Sequence, residues 1–252
     1  MGQTFDVAII GGGIAGFSLA HYLGANRKVL ILEQEDAFGY HATARSAAEF
    51  AFRFHTPLVG KLAALSFPFL NNPPQDFSAV QLLRERGMIL IASEEKRARL
   101  DEVLATESAK TDRLRRFSRD EVLAAAPILN PDFFASAFFD PDCWDIEADA
   151  LFQGFRKSAS ANGTVAISKA RVASAERKSG YWQIDTHSGQ FEAAVVVNAS
   201  GAWADQTAVL FGAAPLAHAP LNRTMITVDI PVGIDWRSMP EVQEVDEDFY
   251  MK

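Results

Sequence analysis

Residues 5–33 allow very few topologies. Phe5–Ile10 is a run rich in β-branched side chains that stops abruptly at Gly11-Gly12-Gly13. Ile14–Leu23 then carries apolar residues at helical spacing, and Lys28–Leu32 is a second short apolar strand. Strand, glycine turn, helix and strand in that order form a βαβ unit. Its helical crossover returns the chain in the same direction, so the two strands pair in parallel. Gly11-Gly12-Gly13-Ile14-Ala15-Gly16 satisfies G-x-G-x-x-G at the turn itself. Gly11 permits the tight turn, Gly13 lets backbone approach a pyrophosphate, and Gly16 allows close packing of helix on strand. The helix N-terminus offers N–H groups and the positive end of its dipole to phosphates. Glu33 ends the second strand, where a carboxylate accepts ribose hydroxyls and repels a 2′-phosphate. The pattern predicts a dinucleotide site in an α/β protein and leaves FAD and NAD both open.

Downstream, Pro57, Pro68, Pro73 and Pro74 punctuate residues 57–77. Gly87–Ala92 reads as a strand, and Glu94–Ser108 as a helix with Leu100, Val103 and Leu104 on one face. Ser118 with Glu121 is a capping box for a short helix ending before Pro127. From Glu147 a helix carries Leu151, Phe152 and Phe155 inward and stops at Asn162-Gly163. Strands are expected at Val165–Ile167, Val172–Glu176, Tyr181–Thr186, Ala194–Asn198 and Thr224–Ile230, with another beginning at Phe249-Tyr250-Met251-Lys252. The middle segment reads as an inserted second domain.

Charge and cysteine usage narrow the function classes. The 252 residues carry a net charge of −8, a repulsive field for a phosphate backbone, so a nucleic-acid partner is not expected. Cys143 is the only cysteine, which excludes an intrachain disulfide and suits a reducing compartment; the expectation is a cytoplasmic protein. No stretch approaches the ~20 apolar residues of a membrane helix. The five histidines show no metal-ligand spacing, so no metal is expected. Cys143, before Trp144, reads as a buried small hydrophobe, and Arg113, Arg115 and Arg116 as a solvated face.

Two further segments choose the cofactor. Gly39-Tyr40-His41-Ala42-Thr43-Ala44-Arg45-Ser46-Ala47-Ala48 follows the acidic ribose position, and Val195-Val196-Val197-Asn198-Ala199-Ser200-Gly201-Ala202-Trp203 ends a strand in small residues. With the glycine fingerprint, these resemble the D-amino-acid oxidase superfamily of FAD-dependent oxidoreductases, most closely its D-arginine dehydrogenase branch. The resemblance extends through Asn71-Asn72-Pro73-Pro74, Asp140-Pro141, Asp149-Ala150-Leu151 and Phe249-Tyr250. It implies an α/β fold with a Rossmann-like, glutathione-reductase-like FAD-binding domain built on a parallel sheet, and an inserted α+β substrate domain. The expected boundaries are 1–56 with 144–215 for FAD and 57–143 with 216–252 for substrate. Family members are longer, so the resemblance also implies a chain incomplete at its C-terminus.

The resemblance assigns FAD contacts to Gly11, Gly13, Ile14, Ala15, Gly16, Glu33, Gln34, Thr43, Arg45, Ser46, Ala47, Ala48, Val172, Ala199, Gly201 and Trp203. It implies hydride transfer from the carbon of a C–N bond to flavin N5. The substrate would be an amino acid, with D-amino acids expected, and oxygen, a quinone or another acceptor would reoxidise the flavin. Arg223 matches a position that clamps the substrate carboxylate, Tyr250 a tyrosine near the substrate. Three positions depart from the D-arginine branch: Glu49 replaces a histidine, Phe54 a tyrosine, and Gly87 an acid that attracts cationic side chains. Glu49 either restores a negative charge or forms a helix-surface pair with Arg53 at i, i+4. An FAD enzyme acting on a 2-hydroxy acid or glycerol phosphate shares the fold and stays open as an alternative, as does a non-catalytic FAD-binding fragment or subunit.

Overall fold

The computed structural model describes residues 3–54, 56–222 and 224–252, so Arg223 and His55 lie outside the described residues. The chain separates into two compact units. One comprises Met1–Ala47, Pro73–Leu82 and Glu147–Thr224, the other Ala48–Asn72, Leu83–Ile146 and Met225–Lys252. Pairing of Glu49–Ala51 with Cys143–Asp145 lies within the second unit.

In the first unit β1 (Thr4–Ile10), α1 (Ile14–Leu23) and β2 (Val29–Leu32) form the expected βαβ motif, with β1 and β2 parallel. α5 (Ala148–Ala161) follows later in the chain, then β9 (Val165–Ile167), β10 (Val172–Lys178), β11 (Tyr181–Thr186), β12 (Gly189–Asn198) and α6 (Ala204–Leu210). The six-stranded sheet runs β10-β11-β12-β1-β2-β9, parallel from β12 to β9, with β10-β11-β12 an antiparallel meander. β2 is buried at all four residues, as a strand covered on both faces must be. Phe17 of α1 meets Phe152 of α5 edge to face, with ring centroids 5.6 Å apart, so the inward residues of the two helices pack together.

The second unit holds β3 (Glu49–Ala51), α2 (Pro57–Asn71), β4 (Leu83–Glu85), β5 (Met88–Ala92), α3 (Arg97–Ser108), β6 (Arg115–Phe117), α4 (Arg119–Ala125), β7 (Ser136–Asp140), β8 (Cys143–Ile146), β13 (Glu241–Glu244) and β14 (Tyr250–Met251). A five-stranded sheet runs β14-β13-β5-β7-β6, and a three-stranded sheet β3-β8-β4. The capping box forms at Ser118 and Glu121 with both reciprocal bonds. The prolines of residues 57–77 do not keep that segment irregular. Pro57 sits in the first turn of α2, where its missing N–H costs nothing, and Pro68 falls near the end of the helix.

Three expectations are corrected in this unit. Glu49 lies on strand β3, so it cannot pair with Arg53 as a helical i, i+4 neighbour. Arg53 binds Asp140 and Asp142 instead. The arginines of residues 113–116 are not merely solvated: Arg113 pairs with Asp142, Arg115 with Glu121 and Arg116 with Asp101. Residues 224–230 form no strand, and Ile226 and Val228 remain 80% and 65% exposed. Alternation of apolar residues specifies a strand only where a neighbour supplies hydrogen-bond partners, and no described strand pairs there.

Arg53 anchors this unit electrostatically, because the Asp140 side chain is 0% exposed and Asp142 nearly as buried. Removing the guanidinium strands buried carboxylate charge, so Arg53→Leu is expected to cost about 3–5 kcal/mol in urea unfolding followed by circular dichroism.

Candidate functional site

The glycine loop is shaped by three backbone approaches. β1 lies between β2 and β12, so its C-terminal end meets theirs: Gly11 N–H donates to Leu32 O (2.9 Å) and Ala199 N–H to Ile10 O (2.8 Å). Gly11 has φ +116°, and any Cβ there would collide with the Ala199 carbonyl oxygen. A Cβ on Gly16 would strike Gly11 O, which brings helix α1 hard against the turn. Gly13 differs, since a Cβ would meet only Thr43 Oγ1, at 3.1 Å.

Glu33 supports the same loop from below. Its carboxylate accepts from Gly12 N–H (2.8 Å) on one oxygen and from Glu35 N–H (2.9 Å) on the other. Each oxygen keeps a second lone pair for a further donor such as a ribose hydroxyl. Residues 167–170 run alongside: Glu33 N–H donates to Ile167 O, and Ala170 N–H to Glu33 O (2.7 Å). This brings Val172, at the start of β10, into one buried cluster with Ile10, Leu32 and Ala170. Gln34 is half-buried in the turn that follows β2.

The segment after the ribose position folds back as turns. Thr43 Oγ1 accepts from Ile14 N–H at 3.0 Å, which ties the turn to the first residue of α1. Arg45, in a turn and not on a helix, lies over the Tyr40 ring, 5.1 Å from its centroid. Ser46 and Ala47 follow the turn outside any helix or strand, and Ala48 opens the second unit at φ +59°. Gly201, at φ +57°, begins a short 3-10 turn that sets Trp203 against His41, with ring centroids 4.6 Å apart.

A dinucleotide fits this arrangement on structural grounds. Gly13 supplies no side-chain cap to α1 and no acid occupies its first turn; Thr43 takes the Ile14 N–H, and the N–H groups of Ala15 and Gly16, which have no intrahelical acceptor, remain for phosphate. A groove of about 850 Å3 elsewhere in this unit, beside Phe38, Phe77 and Arg156, includes none of the expected cofactor residues.

The second unit gathers a buried acid cluster around Glu49. The carboxyl oxygens of Glu49 and Glu241 and the Cys143 sulfur all lie within 4.8 Å of one another. Glu241 is 1% exposed and hydrogen-bonds to Glu49. Burial, with the Glu49 charge and hydrogen bond behind it, pushes the Glu241 carboxyl up to about 8. Burial and the same carboxylates hold the Cys143 thiol far above its ordinary range, so it is no nucleophile. Asp145 goes the other way. Burial opposes its charge, but Arg86, Lys252 and Arg84 outweigh burial and hold it below the usual carboxylate range. Lys252 Nζ also donates to Ala48 O at 2.9 Å. Tyr250, on β14 beside β13, donates its hydroxyl to Met225 Sδ at 3.4 Å. Sequence reasoning missed Glu241 and Lys252, because an acid after Pro240 and a lysine after an apolar pair carry no motif.

The sequence matches the family described as DAO, FAD dependent oxidoreductase, over residues 6–251. It is 27% identical to FAD-dependent oxidoreductase domain-containing protein 1 of Bos taurus, across 90% of this chain and 53% of that protein. It is 26% identical to glycine oxidase of Geobacillus kaustophilus (strain HTA426), across 93% of this chain and 64% of that enzyme. The crystal structure of glycine oxidase from Geobacillus kaustophilus superposes with a TM-score of 0.74 at 25% identity, covering 83% of this chain and 59% of that one. The chain thus spans between half and two thirds of these relatives' lengths. They support the family as a whole and not the D-arginine branch in particular.

Two outcomes follow from this geometry. Gly13→Ala meets no backbone, so the protein keeps its fold while FAD affinity falls at least about tenfold, about 1.4 kcal/mol, in fluorescence titration. Glu241 is an acid whose folded-state pKa is raised from 4.5 to about 8. Its contribution to stability is therefore full below 4.5 and lost as pH rises to about 8. Glu241→Gln does not ionise, so thermal unfolding should find it gaining on the wild type across that window and level above it.

Proposed function

The chain belongs to the DAO family of FAD-dependent oxidoreductases, and from that premise we propose that it oxidises the C–N bond of an amino acid. The imino product hydrolyses in water to a 2-oxo acid and ammonia. The observation that carries this reading is the glycine loop that opens α1 with no acid in the first turn and with Glu33 as its support, in a chain similar over most of its length to a glycine oxidase.

Bound FAD supplies the acceptor for the substrate's α-hydrogen. The protein's share is binding and orientation. Gly13, Ala15 and Gly16 offer backbone N–H groups to the pyrophosphate, Gly11 makes the turn and Ile14 is tied to Thr43, with Arg45, Ser46, Ala47 and Ala48 wrapping the far side. Glu33 and Gln34 take the ribose, Val172 the adenine, and Ala199, Gly201 and Trp203 line the cofactor where small side chains permit approach. The first unit is thus the FAD-binding domain and the second the substrate domain. Arg223 is the proposed carboxylate clamp, because a guanidinium grips a carboxylate with two parallel N–H donors. Tyr250 and Glu49 are the proposed substrate-facing groups of the second unit.

The substrate stays open within amino acids. Gly87 has φ +75°, and a Cβ there would press on the Phe139 ring, so this chain has no room at that position for an acid selecting cationic side chains. Small neutral amino acids are the better candidates, D-enantiomers among them. The electron acceptor is oxygen, a quinone or another oxidant. Cys143 is free and buried, which suits a reducing compartment, and the cytoplasm is the proposed location.

The purified protein is expected to carry flavin absorption bands through gel filtration. Under anaerobic conditions those bands should bleach with glycine or D-alanine and persist with glycolate or glycerol phosphate. Bleaching by the hydroxylated compounds alone would transfer the reading to a 2-hydroxy-acid enzyme. A wild-type flavoprotein bleached by none of them would be a cofactor-binding subunit.

A further inference from the structure

Glu241 has a fixed root. Its backbone N–H donates to Gly87 O at 3.0 Å, and two residues earlier Met239 O accepts from Arg86 Nη1 at 2.8 Å. Val242, which follows it, is 0% exposed in the core of the five-stranded sheet. The Glu241 carboxyl therefore leaves a rigid strand and ends on the Glu49 carboxyl. Two ionised carboxylates cannot hydrogen-bond to each other, so one of the pair holds a proton. Burial decides which one: Glu241 is sealed from solvent, whereas Glu49 is half-exposed and stays solvated when charged.

The neighbouring groups leave this arrangement undisturbed. Cys143 and Asp145 face it from β8, Asp140 from the end of β7, Arg86 from the turn before β5 and Lys252 from beyond β14. Arg86 and Lys252 both bind Asp145, at 2.7 and 3.0 Å, and spend further donors on backbone carbonyls. Among the described residues no lysine or arginine forms an ion pair with Glu49 or Glu241. The hydrogen bond within the acid pair, joined by a Cys143 S–H that reaches Glu49 Oε1 at 3.8 Å, is what fixes Glu49.

We propose that Glu241 is a positioning residue for Glu49: its buried carboxyl O–H donates to the Glu49 carboxylate, and the two side chains act as one unit with a single negative charge. The pair fixes Glu49 at the head of β3, next in sequence to Ala48. This assignment rests on the reading that Glu49 faces an amino-acid substrate. Its chemistry is plain: a fixed carboxylate aims one charge in one direction, whereas a freely rotating one spends the same charge on solvent.

The test uses the FAD-loaded protein with Glu241→Gln, which keeps a donor but cannot ionise, and Glu241→Leu, which has no donor. In the infrared, the wild type should hold a protonated-carboxyl C=O band at neutral pH that bleaches as pH rises through about 8, and Glu241→Gln should lack it. In anaerobic flavin reduction by the best amino acid, Glu241→Gln should keep its rate within about threefold and lose the alkaline decline, while Glu241→Leu should lose at least about tenfold in kcat. Absence of the band from neutral wild type overturns the proposal, as does an alkaline decline retained in Glu241→Gln. Should Glu241→Leu fail to fold, the comparison of wild type with Glu241→Gln decides alone, because a merely structural carboxyl would leave the pH profile unmoved. If no amino acid reduces the wild-type flavin, the reaction assigned above fails, and the infrared band still decides the carboxyl pair by itself.

Discussion

The first unit depends on one close approach between backbones, that of Gly11 to Ala199. β1 is flanked by β2 and β12, all parallel, so three strand ends open toward the same edge. The chain leaving β1 must turn there with no side chain in the way, since the Ala199 carbonyl occupies the place of a Cβ. Everything the loop presents follows from that turn. The helix begins immediately after it and Gly16 closes on Gly11, so the N-terminus of α1, where a phosphate is best stabilised, starts at that turn. The same rule places ligands outside the carboxyl ends of parallel strands in open α/β sheets generally.

The second unit is organised by a different force, the cost of burying charge. Asp140, Asp142, Asp145, Glu241 and Glu244 are all buried, and each is compensated in its own way. Asp140 and Asp142 share Arg53, Asp145 gathers Arg84, Arg86 and Lys252, and Glu244 takes Lys96. Glu241 forms no ion pair with a lysine or arginine among the described residues and keeps a proton instead. These solutions differ chemically: an ion pair holds its charge across the working pH range, whereas a protonated carboxyl gives its proton up as the solution becomes basic.

Much of the first unit was legible in the sequence because its signals are local. The βαβ motif, the glycine register and the boundaries of β9 and β11 all rest on residues a few positions apart, as does the capping box at Ser118 and Glu121 in the second unit. Two misreadings came from treating local spacing as sufficient. Glu49 and Arg53 have the separation of a helical pair, but β3 pairs with β8, which puts Glu49 opposite Asp145, while Arg53 reaches Asp140 and Asp142. The alternation in residues 224–230 has strand period and no strand to pair with among the described residues. The Glu49–Glu241 contact was invisible for the same reason, since 192 positions of sequence separate two residues joined only by tertiary structure.

Glu33 does more than mark the ribose position. Because Gly12 and Glu35 both donate backbone N–H groups to its carboxylate, the side chain proposed to recognise the nucleotide also holds the loop geometry. A redesign that replaces it with a neutral or basic residue to admit a 2′-phosphorylated cofactor would remove the support of the loop that must receive that cofactor. Altering cofactor preference in this scaffold therefore calls for a second change that re-anchors Gly12, and single-site exchange at residue 33 is a dead end for engineering.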